Sequence, residues 1–363
     1  MALNQLKRPL SAVALAIAAL AAAPAAHAGL TFVFTDVGTT PMTAQQLGGF
    51  QAAGNYWSSQ FTDNVTVYFN IQMASLGSGI LGSTGSNFTT VNYSAYRTAL
   101  AADVTSATDA AAVGHLQAGP ALQFWATQGD LSTRFDNDGS VNNTLLGITT
   151  ANAAAIGLST GTSVANPDAR ITFSTNFNFD YDRSNGITAG AYDFVTVAEH
   201  EIGHALGFVS GVDDIDFCAG PNNQCGLPNT VDRFEGDWWY EPLDLFRYSS
   251  ASPGQMDVRV GGNPYFSTDG GATSIAPFSS GTTAHGGNGW QASHFGADAV
   301  RLMRPFVASG NVGTYDAFAA DLMAFDAIGW NLAAAVPEPG TYALMLVGVA
   351  AVVGAARRRR RAD

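Results

Sequence analysis

Apolar and polar positions alternate through Leu30-Thr31-Phe32-Val33-Phe34 and again from Val65 to Ile71. This is the period of a half-buried strand. Between them the period changes: Thr43 to Ser59 places Leu47, Phe50, Ala53 and Trp57 on one side of a helix. Ser94 to Gly114 predicts a second helix, with Tyr96, Leu100, Val104 and Ala107 on one face. Residues 120–165 read as loop-rich, Arg170 to Asn176 as a strand, and Asp180 to Gly186 as a turn. Asp193 is suited to N-cap the next helix, and Gly207 to end it in the left-handed conformation. Residues 209–293 read as mostly irregular. Trp238, Trp239, Tyr240, Leu243, Leu245 and Phe246 form an aromatic cluster there, either a satellite core or a cleft wall. Helical spacing returns from Tyr315 to Trp330, where Phe318, Leu322, Phe325 and Ile328 share a face. The pattern predicts an α+β chain.

Composition adds a core and a compartment. Hydrophobic content is 47% and charged content 12%, with 22 Phe, so the chain can bury a substantial core. At 363 residues it suits one large domain or two small ones. Residues 1–28 read as a secretory signal: Lys7 and Arg8, an apolar run from Leu10, then Ala26-His27-Ala28 at the cleavage site. At the other end Pro337-Glu338-Pro339 precedes the uncharged run Gly340 to Ala356 and the block Arg357 to Arg361. That run is at the short end for a membrane span, and its basic flank places the body of the protein outside. Between 29 and 336 there are nine arginines, no lysine and 27 acids, a formal charge of −18. Such a surface repels nucleic acid. Export also predicts that the two cysteines, Cys218 and Cys225, are paired.

The helix after Asp193 carries the candidate chemistry, His200-Glu201-Ile202-Gly203-His204. Residues i and i+4 share a helix face, so both imidazoles can reach one metal ion. Glu201 can then reach a water held by that metal and take its proton. Two incidental histidines on an amphipathic helix are the bland alternative, and the scarcity of histidine argues against it. A catalytic zinc takes three protein ligands and keeps one position for water. Past the signal, the remaining histidines are His115, His285 and His294. His115 lies in an Ala/Gly-rich stretch far upstream, so His285 and His294 stay open as the third ligand, with Asp213 and Asp244 as outside candidates. Asp136-Asn137-Asp138-Gly139 suggests calcium but lacks the later ligands of an EF-hand loop, so a polar turn is the better reading.

His-Glu-x-x-His-x-x-Gly, completed by Gly207, resembles the start of the metzincin signature. Most metzincins place the third ligand three residues after that glycine, and here Ser210 stands there. The leishmanolysin-like branch is similar instead: a long insertion precedes the third histidine, and a Met-turn follows. Ala292-Ser293-His294-Phe295 and Arg301-Leu302-Met303-Arg304-Pro305 resemble that pair, and Phe318 to Trp330 resembles the family's following helix. The family's propeptide with an inhibitory cysteine is missing. The resemblance implies zinc held by His200, His204 and His294, with Met303 beneath it. It also implies a metzincin-like catalytic domain: a twisted mixed sheet with the active-site helix above (29–208), a loop-rich lower part with the C-terminal helix (209–335), and residues 170–176 as the cleft-edge strand. The glycines around His285 also make it the less rigid choice of ligand.

The tail, 336–363, resembles the PEP-CTERM sorting signal. This implies an exosortase-type enzyme as partner, membrane contact through 340–356 before processing, and a surface or extracellular product. The function expected is an exported zinc-dependent endopeptidase acting on protein or peptide, with Glu201 as general base. The alternatives are a non-catalytic surface or matrix protein with a structural or vestigial metal site, and a metal-dependent hydrolase of other substrates.

Overall fold

The structure is a computed structural model that describes residues 29–221, 223–297, 301–312 and 318–333. The expected signal segment, the 340–356 span and the sorting tail lie outside these residues. The fold is mixed α and β, with several sheets.

The first sheet follows the predicted alternation. β1 (Thr31–Asp36) pairs in parallel with β2 (Thr66–Ala74), where Val67, Phe69 and Ile71 all point inward. β8 (Ala169–Ser174) lies parallel to β2 on its other side, and β3 (Gly82–Ser86) runs antiparallel along the outer edge of β8. The strand expected at the edge, residues 170–176, is therefore interior. Its near-continuous burial suits that place. The true edge, Gly-Ser-Thr-Gly-Ser, carries no apolar side chain and so left no hydrophobic signal.

Helix α1 (Ala44–Gln60) begins where expected. Thr43 accepts from the Gln46 amide, and the Gln46 side chain accepts from the Thr43 amide. Phe50, Ala53 and Trp57 are buried, whereas Leu47 falls outside the packed face. α1 packs against α6 (Phe194–Ala205), with the rings of Phe50 and Phe194 edge to face at 5.2 Å. Gly49 permits that approach, since a Cβ there would sit 2.3 Å from the Phe194 ring.

The single helix expected over 94–114 is two: α2 (Tyr93–Asp103) and α3 (Ala107–His115). Ser106 and Asp109 form a capping box that starts α3 anew, and Asp109 also accepts from the Thr105 amide at 3.0 Å. The 120–165 stretch is more regular than its sequence suggests. It contains β5 (Phe124–Thr127), β6 (Thr133–Asp136), the one-turn α4 (Val141–Thr144), β7 (Leu145–Thr149) and α5 (Thr150–Ala155). β7 pairs with β4 (Phe88–Asn92).

Residues 209–293 are likewise built, not irregular. They contain α7 (Val212–Cys218) and four short strands: β11 (Arg247–Ser249), β12 (Met256–Val258), β13 (Pro264–Phe266) and β14 (Ala276–Pro277). With β5 and β6 these form one six-stranded sheet, ordered β14-β13-β11-β12-β5-β6, so it takes strands from both sides of residue 208. Strands of two or three residues show no alternation to read. Tyr240, Leu243, Leu245 and Phe246 of the aromatic cluster are buried in the core. The expected Cys218–Cys225 disulfide is formed, closing the loop after α7. α8 (Phe318–Ala327) sets Phe325 against Trp57 and Phe208.

Candidate metal centre

α6 is anchored before it reaches its histidines. Asp193 caps it by accepting from the Val195 amide and the Thr196 hydroxyl, and Arg183 pairs with both Asp193 and Glu199. Two buried indoles fix its far half: Trp57 Nε1 donates to the Glu199 carbonyl at 2.8 Å, and Trp330 Nε1 to the Leu206 carbonyl at 2.7 Å. The helix ends at Leu206, where Gly207 takes φ 115°. Glu199 thus serves the scaffold, while the opposite face is left to chemistry.

On that face His200 and His204 meet His294, and the donor nitrogens of the three imidazoles lie within 4.8 Å of one another. Each ring is oriented by its other nitrogen. His200 Nδ1 lies 2.7 Å from the Leu302 carbonyl, His204 Nδ1 2.7 Å from the Phe208 carbonyl, and His294 Nδ1 3.2 Å from the Gln291 carbonyl. A carbonyl only accepts, so each Nδ1 carries the proton and each Nε2 presents a lone pair. Burial pushes the imidazoles well down, His200 to about 4 and His204 to about 3, and the neutral ring is the form that ligates. His200 Nε2 and His204 Nε2 stand 3.1 Å apart. Two lone pairs at that distance repel unless a cation lies between them. The donor set therefore fits zinc, which takes imidazole nitrogen readily.

His294 reaches the helix through a lock that the sequence did not reveal. Asp213 on α7 accepts from the amides of Ala292 and Ser293 at 2.5 and 2.9 Å. The Ser210 amide donates to the Ser293 hydroxyl at 2.9 Å. Asp244 in turn holds Ser210 and Gly211, at 2.5 and 2.9 Å. Asp213 and Asp244, weighed from sequence as possible ligands, instead position the loop that carries one. Burial raises the Asp213 carboxyl to about 6. His285 stands apart, its Nδ1 2.6 Å from Asp216, and His115 bonds back to the Ala111 carbonyl.

Met303 is fully buried behind the helix. Gly203 makes room for it, since a Cβ there would lie 2.5 Å from the Met303 sulfur. The turn is held from α8, where Asp321 accepts from the Leu302 and Met303 amides at 3.2 and 3.1 Å. As the Leu302 carbonyl orients His200, Asp321 supports that imidazole at one remove. A carboxylate within the otherwise apolar run Phe318 to Leu322 was the available signal for it.

Glu201 is buried beside the imidazoles. Thr84 on β3 donates to its Oε2 and also to its carbonyl, both at 2.8 Å. Gly82, also on β3, lies so close that a Cβ would stand 2.7 Å from Oε1. Burial raises the Glu201 carboxyl to about 7, and the Thr84 bond opposes this in part. His200, Glu201, His204 and His294 all line one cavity of about 730 Å³, with β3 on one wall and Arg301 to Val307 on another.

A second cluster, Asp136, Asp138 and Glu235, also brings three donors within 4.8 Å. It contains Arg134, which pairs with Glu235 and lies 3.7 Å from Asp136 and 3.8 Å from Asp138.

Among the described residues no helix is long and apolar enough to cross a membrane. No curated protein and no solved structure matches the chain. Residues 335–361 do match the PEP-CTERM protein-sorting motif. The chain thus carries the signal of an exported protein that an exosortase-type enzyme recognises and sorts to the cell envelope.

Proposed function

We propose that the protein is an exported zinc-dependent endopeptidase with a metzincin-like catalytic domain of the leishmanolysin-like branch. One observation carries the reading: three neutral imidazoles, each tied at Nδ1 to a backbone carbonyl, converge their Nε2 lone pairs in a cavity beside the buried carboxylate of Glu201. A structural zinc site is closed by four protein ligands, whereas these donors face open space.

Bound zinc supplies Lewis-acid chemistry, polarising a carbonyl and acidifying water. The remaining work falls to this chain. The outer edge of β3 faces the cavity, and an extended peptide can add there as a further strand, which aligns its backbone along the wall. Glu201 is the general base. Thr84 occupies Oε2 and leaves Oε1 for the attacking water. Its carboxylate, held at Oε2 by Thr84, takes the proton of the water and returns it to the leaving amine. The buried surroundings of Glu201 limit competing water.

The test is hydrolysis of a generic unfolded protein by the purified exported chain. Cleavage that stops with a chelator and returns with zinc is expected. Absence of cleavage by zinc-loaded protein would overturn the reading in favour of a non-catalytic metal site.

A further inference from the structure

Among the described residues, the nine arginines of the body sort by what holds them. Arg134, Arg183 and Arg259 are paired with carboxylates. Arg97, Arg233 and Arg247 donate to backbone carbonyls. Arg170 is exposed on β8, away from the cavity. Arg301 and Arg304 belong to neither group. Both line the metal cavity, and neither makes a hydrogen bond or a salt bridge among the described residues. Each lies over a ring: Arg301 5.2 Å over Phe295 and Arg304 5.0 Å over Phe306. Arg301 Nε is buried without a partner. Its field reaches Asp321, but that carboxylate already accepts from the Leu302 and Met303 amides.

This placement runs against the rest of the molecule. The body carries −18 in formal charge, yet among the described residues Glu201 is the only carboxylate lining the cavity. A divalent ion on the three imidazoles would make the cavity more positive still. Beside the guanidinium groups stand two large exposed rings, Trp290 and Phe306, with centroids 5.7 Å apart. Stacked on rings, a guanidinium keeps its planar donor edge free, and that edge matches a carboxylate in bidentate fashion.

We propose that Arg301 and Arg304 select peptides with Asp or Glu side chains flanking the cleaved bond, the aliphatic part of those side chains lying against Trp290 and Phe306. The repulsive side of this selectivity is equally present, since the same pair disfavours Lys and Arg at those positions. The inference rests on the peptidase reading, and its test includes binding so that the two can fail separately.

The probes are peptides of one fixed uncharged sequence with Glu placed in turn at each position, paired with the same peptides carrying Gln. Binding is read from Trp fluorescence with zinc-loaded Glu201→Gln protein, and cleavage with wild type. At the favoured position Glu should bind about tenfold tighter than Gln, and the advantage should shrink with added salt. Arg304→Gln should abolish most of it. Arg304 stacks on an exposed ring, so its replacement leaves the core intact. Equal or tighter binding of the Gln peptides would overturn the proposal, as would a preference that survives both Arg301→Gln and Arg304→Gln. Preferential binding without any cleavage would overturn the peptidase reading alone.

Discussion

Two clusters in this molecule bring three ligating side chains equally close, and they differ in what compensates them. At Asp136, Asp138 and Glu235 a cation already stands among the donors, because Arg134 pairs with Glu235 and with the neighbouring Asp232 and lies within 3.8 Å of the other two. At His200, His204 and His294 no cationic side chain stands among the donors within the described residues: each Nδ1 is spent on a carbonyl, and two Nε2 atoms face one another at 3.1 Å. Proximity of donors alone does not make a metal site. A rigidly oriented set of donors with no cation among them does, and of these two only the histidine cluster has one.

The largest effect expected from this contrast is on catalysis. Glu201→Gln should keep zinc and lose hydrolysis by at least ~10²–10⁴-fold, because Glu201 stands beside the imidazoles but is not one of the converging donors. Parallel measurement of metal content and turnover checks it, and loss of zinc in this variant would assign Glu201 to the metal. Next in size is Arg134→Met, which removes the internal cation of the acidic cluster. It should lower stability by about 1–2 kcal/mol, with calcium restoring part of the loss, whereas wild type should not respond to calcium. Thermal melts with and without calcium decide this.

A third cluster sharpens the comparison from the other side. Asp63 and Asp103 share Asn331 and, among the described residues, have no cation with them. Burial raises the carboxyls of both to about 6, against an ordinary 3.8. Acids raised in the folded state hold protons that the unfolded chain has released, so stability falls as pH rises from about 4 through 6. The chain should therefore be more stable at pH 5 than at pH 7 through this cluster, by about 1–2 kcal/mol after solvent screening. Asp63→Asn should shrink that difference in melts at the two pH values.

What the sequence revealed follows the same logic of pattern against context. The strands at Thr31–Asp36 and Thr66–Ala74, α1 and the start and end of α6 were legible, because periodicity and caps are local. The split at Ser106 was legible too in its Ser-x-x-Asp spacing, but the apolar face of the neighbouring turns masked it. β3 was not legible, since Gly82–Ser86 is a strand only through its pairing with β8. Nor were β11 to β14, each too short to show a period. At the site, the two histidines of the helix were evident from their spacing. His294 was singled out among several candidates by resemblance. The residues that hold it, Ser210, Asp213 and Ser293, are polar residues whose partners lie about eighty residues away. Arg301 and Arg304 gain meaning from lining the cavity without a salt bridge among the described residues, which no sequence pattern records.

The most direct test of the central claim is zinc content after exhaustive dialysis, measured on wild type, His294→Ala and His285→Ala. The account predicts one tightly held zinc in wild type, its loss in His294→Ala, and its retention in His285→Ala, whose imidazole is committed to Asp216. Wild type without zinc, or zinc that persists in His294→Ala and leaves with His285→Ala, would contradict it.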